Sequence, residues 1–347
     1  MKIFKLIFIL IVFFKTETVL SENNLFNVNN IKIEKKDKIS NSDLTNQAIK
    51  KGFTQLISRI LLEEDSRNLL NLDFDSIKQL VSYYQISNTV DKKKEEDLVN
   101  FSITFDKKKI HNLFYKRGIL YSDILDKELY VLPIFITNQE INVFNNNLFY
   151  DNWNEFFEND LIEFILPIEN IEIIQKINNN KNSLIDLNID NLFKEYPKKN
   201  LALILIEEDN TEYKKVYIKS KIQGKIISKS LNLNKKNIKK TDIFKEIIID
   251  TKKELINLVK SRNLIDIRTP SFLNVKLDLN KENNIVEINT RIKKIDLIEN
   301  VYVQQFNKDY MNLRIKYLGK LEKIINQLKK EGINLQMISE QWTIKKL

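Results

Sequence analysis

The alternation of apolar and polar positions divides the chain into short strands and amphipathic helices. "LFNVNNIKIEKK" alternates and reads as a strand. The following "SNSDLTNQAIKKGFTQLISRILLEED" carries Ile49, Phe53, Leu56 and Ile60 at helical spacing, with Ser42 placed to cap its N-terminus. "DFDSIKQLVSYYQ" reads as a second helix, whose Asp73 or Asp75 caps the first turn in preference to holding a metal. In "SITFDKKKIHNLFYKRGI" and the residue before it, Phe101, Ile103 and Phe105 alternate with Ser102, Thr104 and Asp106 and define one face of a strand. Ile110, Leu113 and Phe114 then form a helical stripe, and Gly118 stands where a helix stops.

The same plan recurs in "NLRIKYLGKLEKIINQLKKEGINLQMI". Leu313, Ile315 and Tyr317 alternate; Leu321, Ile324, Ile325 and Leu328 make a stripe; Gly332 closes the helix; Ile333, Leu335 and Met337 alternate again. Trp342 and Ile344 follow as a final hairpin strand covering an edge. Between the two copies, "LYVLPIFI" and "LALILIEED" are unbroken apolar runs of buried strands. "VYIKSKIQGKIISKS" reads as an exposed hairpin, "DIFKEIIIDTKKELINLVKSR" as an amphipathic helix and "LNVKLDLNKENNIVEINTRI" as a hairpin with an Asn-rich turn. "FNNNLFYDNWNEFF" and "INNNKNSLIDLN" read as loops or helix starts. Irregular alternation with hairpin-linked strands predicts an α+β fold of two-layer helix-on-sheet modules, with ferredoxin-like strand-helix-strand units, not a doubly wound parallel sheet.

With 347 residues, 43% of them hydrophobic, the chain is long enough for two or three domains with cores. The expected division is a leader over 1–21 and segments over 22–150, 151–292 and 293–347. The leader is read from "MKIFKLIFILIVFFKTETVLSENN", where Lys2 and Lys5 precede an apolar run from Leu6 to Phe14 and a polar segment with Ser21. That run is too short to span a bilayer, which needs about 20 helical residues, so a cleaved secretory signal is expected, with a retained anchor as the alternative. Lys2, Lys5, Lys15 and Glu17 leave with it, reducing the net charge from +9 to +7. The chain has no cysteine, so an exported form holds together by packing alone. A periplasmic location is the expectation.

Most enzyme plans fail on inventory. Gly52, Gly118, Gly224, Gly319 and Gly332 are too dispersed for a phosphate-cradling loop, and there is no thiol nucleophile. One histidine cannot build a zinc site of nitrogen ligands, and without a GxSxG elbow His111 reads as a helix-surface residue. Acidic runs at Glu63–Asp65, Glu95–Asp97 and Glu207–Asp209 read as element ends, although a carboxylate-dependent envelope hydrolase remains the rival reading. No cofactor is expected.

From Lys214 to Lys240 the chain has ten lysines and no acid. Lys214, Lys215, Lys219, Lys221, Lys225 and Lys229 are the candidate partner-binding residues. Lys219, Lys221, Lys225 and Lys229 share parity, which in a regular strand places neighbours such as Lys219 and Lys221 on one face. The same lysines also suit a solvated hairpin protected from aggregation. Lysine without arginine or interleaved aromatics is a poor nucleic-acid signature, so the expected partner is an envelope protein or an anionic lipid or polymer, and no nucleic acid.

"NQAIKKGFTQLISRIL", "LYVLPIFI" with "LFYDNWNEFF", "LPIENIEIIQKI" with "YPKKNLALILIEED", and the closing "NVYVQQFNKDYMNLRIKYLGKLEKIINQLKKEGINLQMISEQWTI" occur in an order that resembles a proteobacterial exported family catalogued as domain of unknown function two-zero-six-six. Arg59, Trp153, Pro167, Gly319 and Trp342 fit its pattern, and this chain departs from it in being richer in Asn and Lys. The resemblance implies an envelope protein of unassigned activity, without a catalytic set to carry over. A non-enzymatic accessory or scaffold, presenting sheet edges and the lysine-rich surface, is the function expected. A purely structural member of an outer-membrane complex would instead show a large apolar patch.

Overall fold

The computed structural model describes residues 25–35, 40–91, 96–124, 126–137, 140–157, 161–208, 213–234, 240–279 and 284–347; the leader read at 1–21 lies outside them. In chain order the elements are β1 (Asn27–Glu34), α1 (Asn41–Ile60), α2 (Glu63–Leu69), α3 (Phe74–Gln79), β2 (Val81–Asp91), β3 (Glu96–Phe105), α4 (Lys107–Arg117), β4 (Tyr121–Ser122), β5 (Glu128–Thr137), β6 (Glu140–Asn142) and α5 (Leu148–Asn152). Then come β7 (Glu163–Ile165), α6 (Ile171–Asn179), a 3-10 turn (Lys181–Asp186), α7 (Ile189–Leu192), β8 (Asn200–Glu208), β9 (Tyr213–Ile222), β10 (Lys225–Asn234), α8 (Lys240–Arg262) and β11 (Leu264–Ile265). The last are β12 (Ser271–Asp278), α9 (Ile285–Lys293), β13 (Ile298–Phe306), β14 (Tyr310–Tyr317), α10 (Leu321–Lys330), β15 (Ile333–Ile338) and β16 (Gln341–Lys346). The fold is α+β, in several antiparallel and mixed sheets.

Two compact units result. One combines residues up to Ser58 with Asp65–Leu120 and Ile265–Leu347; the other combines Arg59–Glu64 with Tyr121–Leu264. This division differs from consecutive segments cut at 150 and 292.

The first unit holds two sheets. β1, β3 and β2 form a three-stranded antiparallel sheet with β3 in the middle. Val99, Phe101, Ile103 and Phe105 of β3 are buried, as are Ile49, Phe53, Leu56 and Ile57 of α1. Ser40, and not Ser42, caps α1: its hydroxyl accepts the Asp43 N–H at 3.1 Å and donates to the Asp43 carboxylate at 2.7 Å. The second helix is only the six residues of α3, capped by Asp73 accepting from the Ser76 N–H at 2.8 Å. "VSYYQ" is strand, because these β-prone residues pair along β3, which outweighs propagation of a short helix. Asp106 caps α4, and Gly118 ends it in the left-handed conformation at φ 65°.

The five-stranded sheet runs β13-β14-β12-β16-β15. "LNVKLDLNKENNIVEINTRI" is not a hairpin: β12 leads to helix α9, whose N-cap Asn284 accepts from the Val286 and Glu287 N–H groups at 2.9 and 3.3 Å. Ile288 and Ile292 of α9 and Ile324 and Leu328 of α10 are buried together with Leu273, Val275 and Leu277 of β12 and Leu313 and Ile315 of β14. The final strand does not cover an edge. β16 lies parallel to β12 and antiparallel to β15, so β15 is the edge. Ile333 and Leu335 are buried as the alternation implies, but Met337 is 56% exposed on that edge.

The second unit is built on β10-β9-β8-β5-β6, with β7 also pairing β5. β5 and β8 are parallel and buried on both faces. One core gathers Val131, Ala202, Ile204, Val216 and Ile218 with Ile248, Leu255 and Val259 of α8. The other gathers Leu132, Ile134, Leu203 and Leu205 with Ile173, Leu187 and Leu192. Covering both faces requires the near-continuous apolar runs seen in these strands.

Candidate functional site

The hairpin lysines do not form one surface. Gln223 and Gly224 make the two-residue turn, both with positive φ (50° and 76°), and Ile222 pairs with Lys225. Such a turn reverses parity: Lys229 lies opposite Ile218, whereas Lys219 lies opposite Ser228. Lys219 and Lys221 share one face, where Lys219 Nζ donates to the Ile185 carbonyl at 3.0 Å and Lys221 Nζ pairs with Asp190 at 2.5 Å. Lys229 points to the other face, onto Glu254 of α8 at 2.6 Å. Lys215 is exposed, opposite Glu207 of β8; Lys225 is exposed opposite Ile222; Lys214 stands in β9 opposite Leu233. Asp190 and Glu254, acids from distant segments, thus meet Lys221 and Lys229, and the described lysines divide between two faces.

Two buried lysines escaped the sequence pattern. Lys252 of α8 is 2% exposed; its Nζ donates to the Phe156 carbonyl at 2.7 Å and lies 5.1 Å and 5.8 Å from the ring centres of Phe164 and Trp153. Burial pushes its pKa down to about 8. Lys260, two helical turns on, donates to the Leu61 carbonyl at 2.8 Å and is also lowered to about 8, by burial partly opposed by Glu63. These two hydrogen bonds tie α8 to the Phe156 and Leu61 carbonyls.

His111 is not on the surface. It is 7% exposed, edge-on to the Phe26 ring at 5.5 Å, with Nδ1 3.7 Å from Glu299 Oε1. Burial, with the nearby Lys107 charge, depresses its pKa to about 4 against the pull of Glu299. Glu299 also binds Lys316 at 2.8 Å, and Lys107 donates to the Asp296 carbonyl. This network joins α4 to the start of β13.

A shallow depression of about 310 Å³ lined by Lys176, Asn180, Asp186, Asn188, Asn191 and Lys194 is polar. Among the described residues no three His, Asp or Glu side chains gather to hold a metal ion, and no helix is long and apolar enough to cross a membrane.

What stands open is sheet edge. Among the described residues β2 pairs only with β3, and residues 82–87 are all exposed. No charged residue occurs from Val81 to Val90. Tyr83, Tyr84 and Ile86 are 54, 46 and 49% exposed. Tyr84 and Ile86 lie opposite the buried Ile103 and Phe101, so they extend the apolar face of this sheet to its rim. The β10 edge, by contrast, carries Lys225 and Lys229.

No family model and no curated protein matches the chain. A solved structure titled "Crystal structure of uncharacterized protein" is similar at a TM-score of 0.19 and 11% identity, over 41% of this chain and 96% of its own.

Proposed function

We propose that this chain is a non-enzymatic accessory or scaffold protein of the envelope that receives an extended segment of a protein partner along β2. The observation that carries this reading is the uncharged run at residues 82–87, every residue of it exposed, on a strand whose outer edge has no partner strand among the described residues. Proteins guard such edges with lysine, proline or a covering element. β10 has that protection and β2 does not. An added strand satisfies the outward N–H and C=O groups, while alternate side chains of the partner meet Tyr84 and Ile86 on one face and Tyr83 on the other. Envelope residence and kinship with the exported family belong to the same proposal; they rest on the leader-like N-terminal sequence and the order of the motifs quoted above.

A photo-crosslinker at Ser87, activated in cells, tests it. The expected result is capture of a discrete protein that is abolished by Tyr84→Lys with Ile86→Lys and unaffected by Lys221→Gln with Lys229→Gln, each variant retaining its fold by circular dichroism. Capture that survives the edge lysines, or that depends on the hairpin lysines, overturns the reading.

A further inference from the structure

The face of the five-stranded sheet opposite its buried residues carries a different surface. Phe272, Asn274 and Lys276 of β12 lie directly across from Lys316, Arg314 and Asn312 of β14, and Tyr302 of β13 lies across from Arg314 on its other side. Phe272 and Tyr302 are each 47% exposed, and Arg314 is exposed between their strands. The Arg314 guanidinium lies 4.2 Å above the Phe272 ring. Lys276 lies 5.1 Å from the Tyr310 ring centre. A planar cation held against one ring, with a second ring across the strand, makes a flat platform that is polar, aromatic and singly charged.

The charges select the ligand. Lys276 is neutralised by Asp278 at 2.8 Å and Lys316 by Glu299 at 2.8 Å. Arg314 has no carboxylate partner among the described residues. A single-stranded nucleic acid places a phosphate at every residue and is held by a positively charged groove; one uncompensated guanidinium does not provide that. The surrounding amides of Asn274, Asn312 and Gln305, the last two joined at 3.1 Å, instead suit hydroxyl groups. Phe272 and Tyr302 stand two strand spacings apart and two residues offset along β14, roughly 12 Å between backbones, far enough to stack two sugar rings of one chain.

We infer that this face binds an acidic polysaccharide. The sugar rings stack on Phe272 and Tyr302, and a carboxylate accepts from the guanidinium of Arg314 in a bidentate pair. The site uses a different sheet from β2 and is independent of the partner strand proposed there.

Affinity electrophoresis of the full chain in polygalacturonate, dextran or oligothymidylate tests the inference, with Lys225→Gln as a control. Retardation is expected in polygalacturonate only, weakened at least tenfold by Arg314→Gln and by Phe272→Ala and unchanged in the control. Because both side chains are exposed, retained thermal melting identifies any loss as loss of binding. Absence of retardation in polygalacturonate, equal retardation of the variants, or stronger retardation in oligothymidylate or dextran overturns the assignment.

Discussion

His111 Nδ1 lies 3.7 Å from Glu299 Oε1, and the histidine is nevertheless held neutral down to a pKa of about 4. Burial on α4 dominates. The carboxylate is shared with Lys316, and Lys107 opposes protonation from the same helix.

The pH dependence follows from this depressed value. The unfolded chain takes up a proton at His111 near pH 6.5, whereas the folded chain does so only near 4. Stability contributed by the neutral form is therefore complete above 6.5 and is lost as pH falls toward 4. Between pH 7 and pH 5 the loss is about 2 kcal/mol. Asp73, Asp266 and Glu287, whose pKa values are lowered below the usual carboxylate range, lose their contributions below this window. Urea unfolding at the two pH values should show the drop in the wild type and a clearly smaller one in His111→Phe. Equal drops would mean that the buried imidazole is not its source.

Gly52 sits inside α1, where alanine would favour the helix by about 1 kcal/mol. A Cβ there would stand 2.9 Å from Ile31 Cδ1 and 3.1 Å from Ile103 Cδ1, both side chains buried in the sheet below. Overpacking of this kind costs about 1–3 kcal/mol, so Gly52→Ala is expected to destabilise by about 1 kcal/mol overall. Ile31→Val removes the methyl in the way. The double variant should be more stable than the two single losses added together, a coupling that chemical denaturation measures. Strict additivity would show that the close approach is relieved elsewhere.

Elements whose own periodicity and caps agree were legible in the sequence. Phe101, Ile103 and Phe105, the Asp73 cap, the stop at Gly118 and the apolar runs of β5 and β8 all appear where the pattern put them. The failures lie where a distant partner decides. "VSYYQ" became strand because β3 lies beside it, and the hairpin lysines were divided by a parity reversal at Gln223-Gly224 and then met by Asp190 and Glu254. His111 was hidden for the same reason: α4 has a second packed side, facing Phe26 and Glu299, that its local stripe does not announce. The uncharged run of β2 was visible as composition, but only the strand order identifies it as an edge.

Asn147 presents the same lesson in a form that mutation can read. In an Asn-rich stretch it resembles any loop residue, yet it is fully buried. Its amide donates to the carbonyls of Pro133, Asn142 and Val143 at 2.8, 3.0 and 2.7 Å, while its oxygen accepts from the Phe149 and Tyr150 N–H groups at 3.1 and 3.2 Å. One side chain thus caps α5 and ties it to β5. Asn147→Ala strands several buried groups and should cost about 2–4 kcal/mol. Asn147→Asp keeps the cap acceptor but turns a carboxylate toward carbonyl oxygens, which raises its folded pKa above the unfolded value near 3.9. Protonation restores a donor, so the deficit of Asn147→Asp relative to wild type should be largest at pH 7 and narrow as pH falls through that raised pKa. A deficit independent of pH would show that repulsion between the carboxylate and the three carbonyls is not its source.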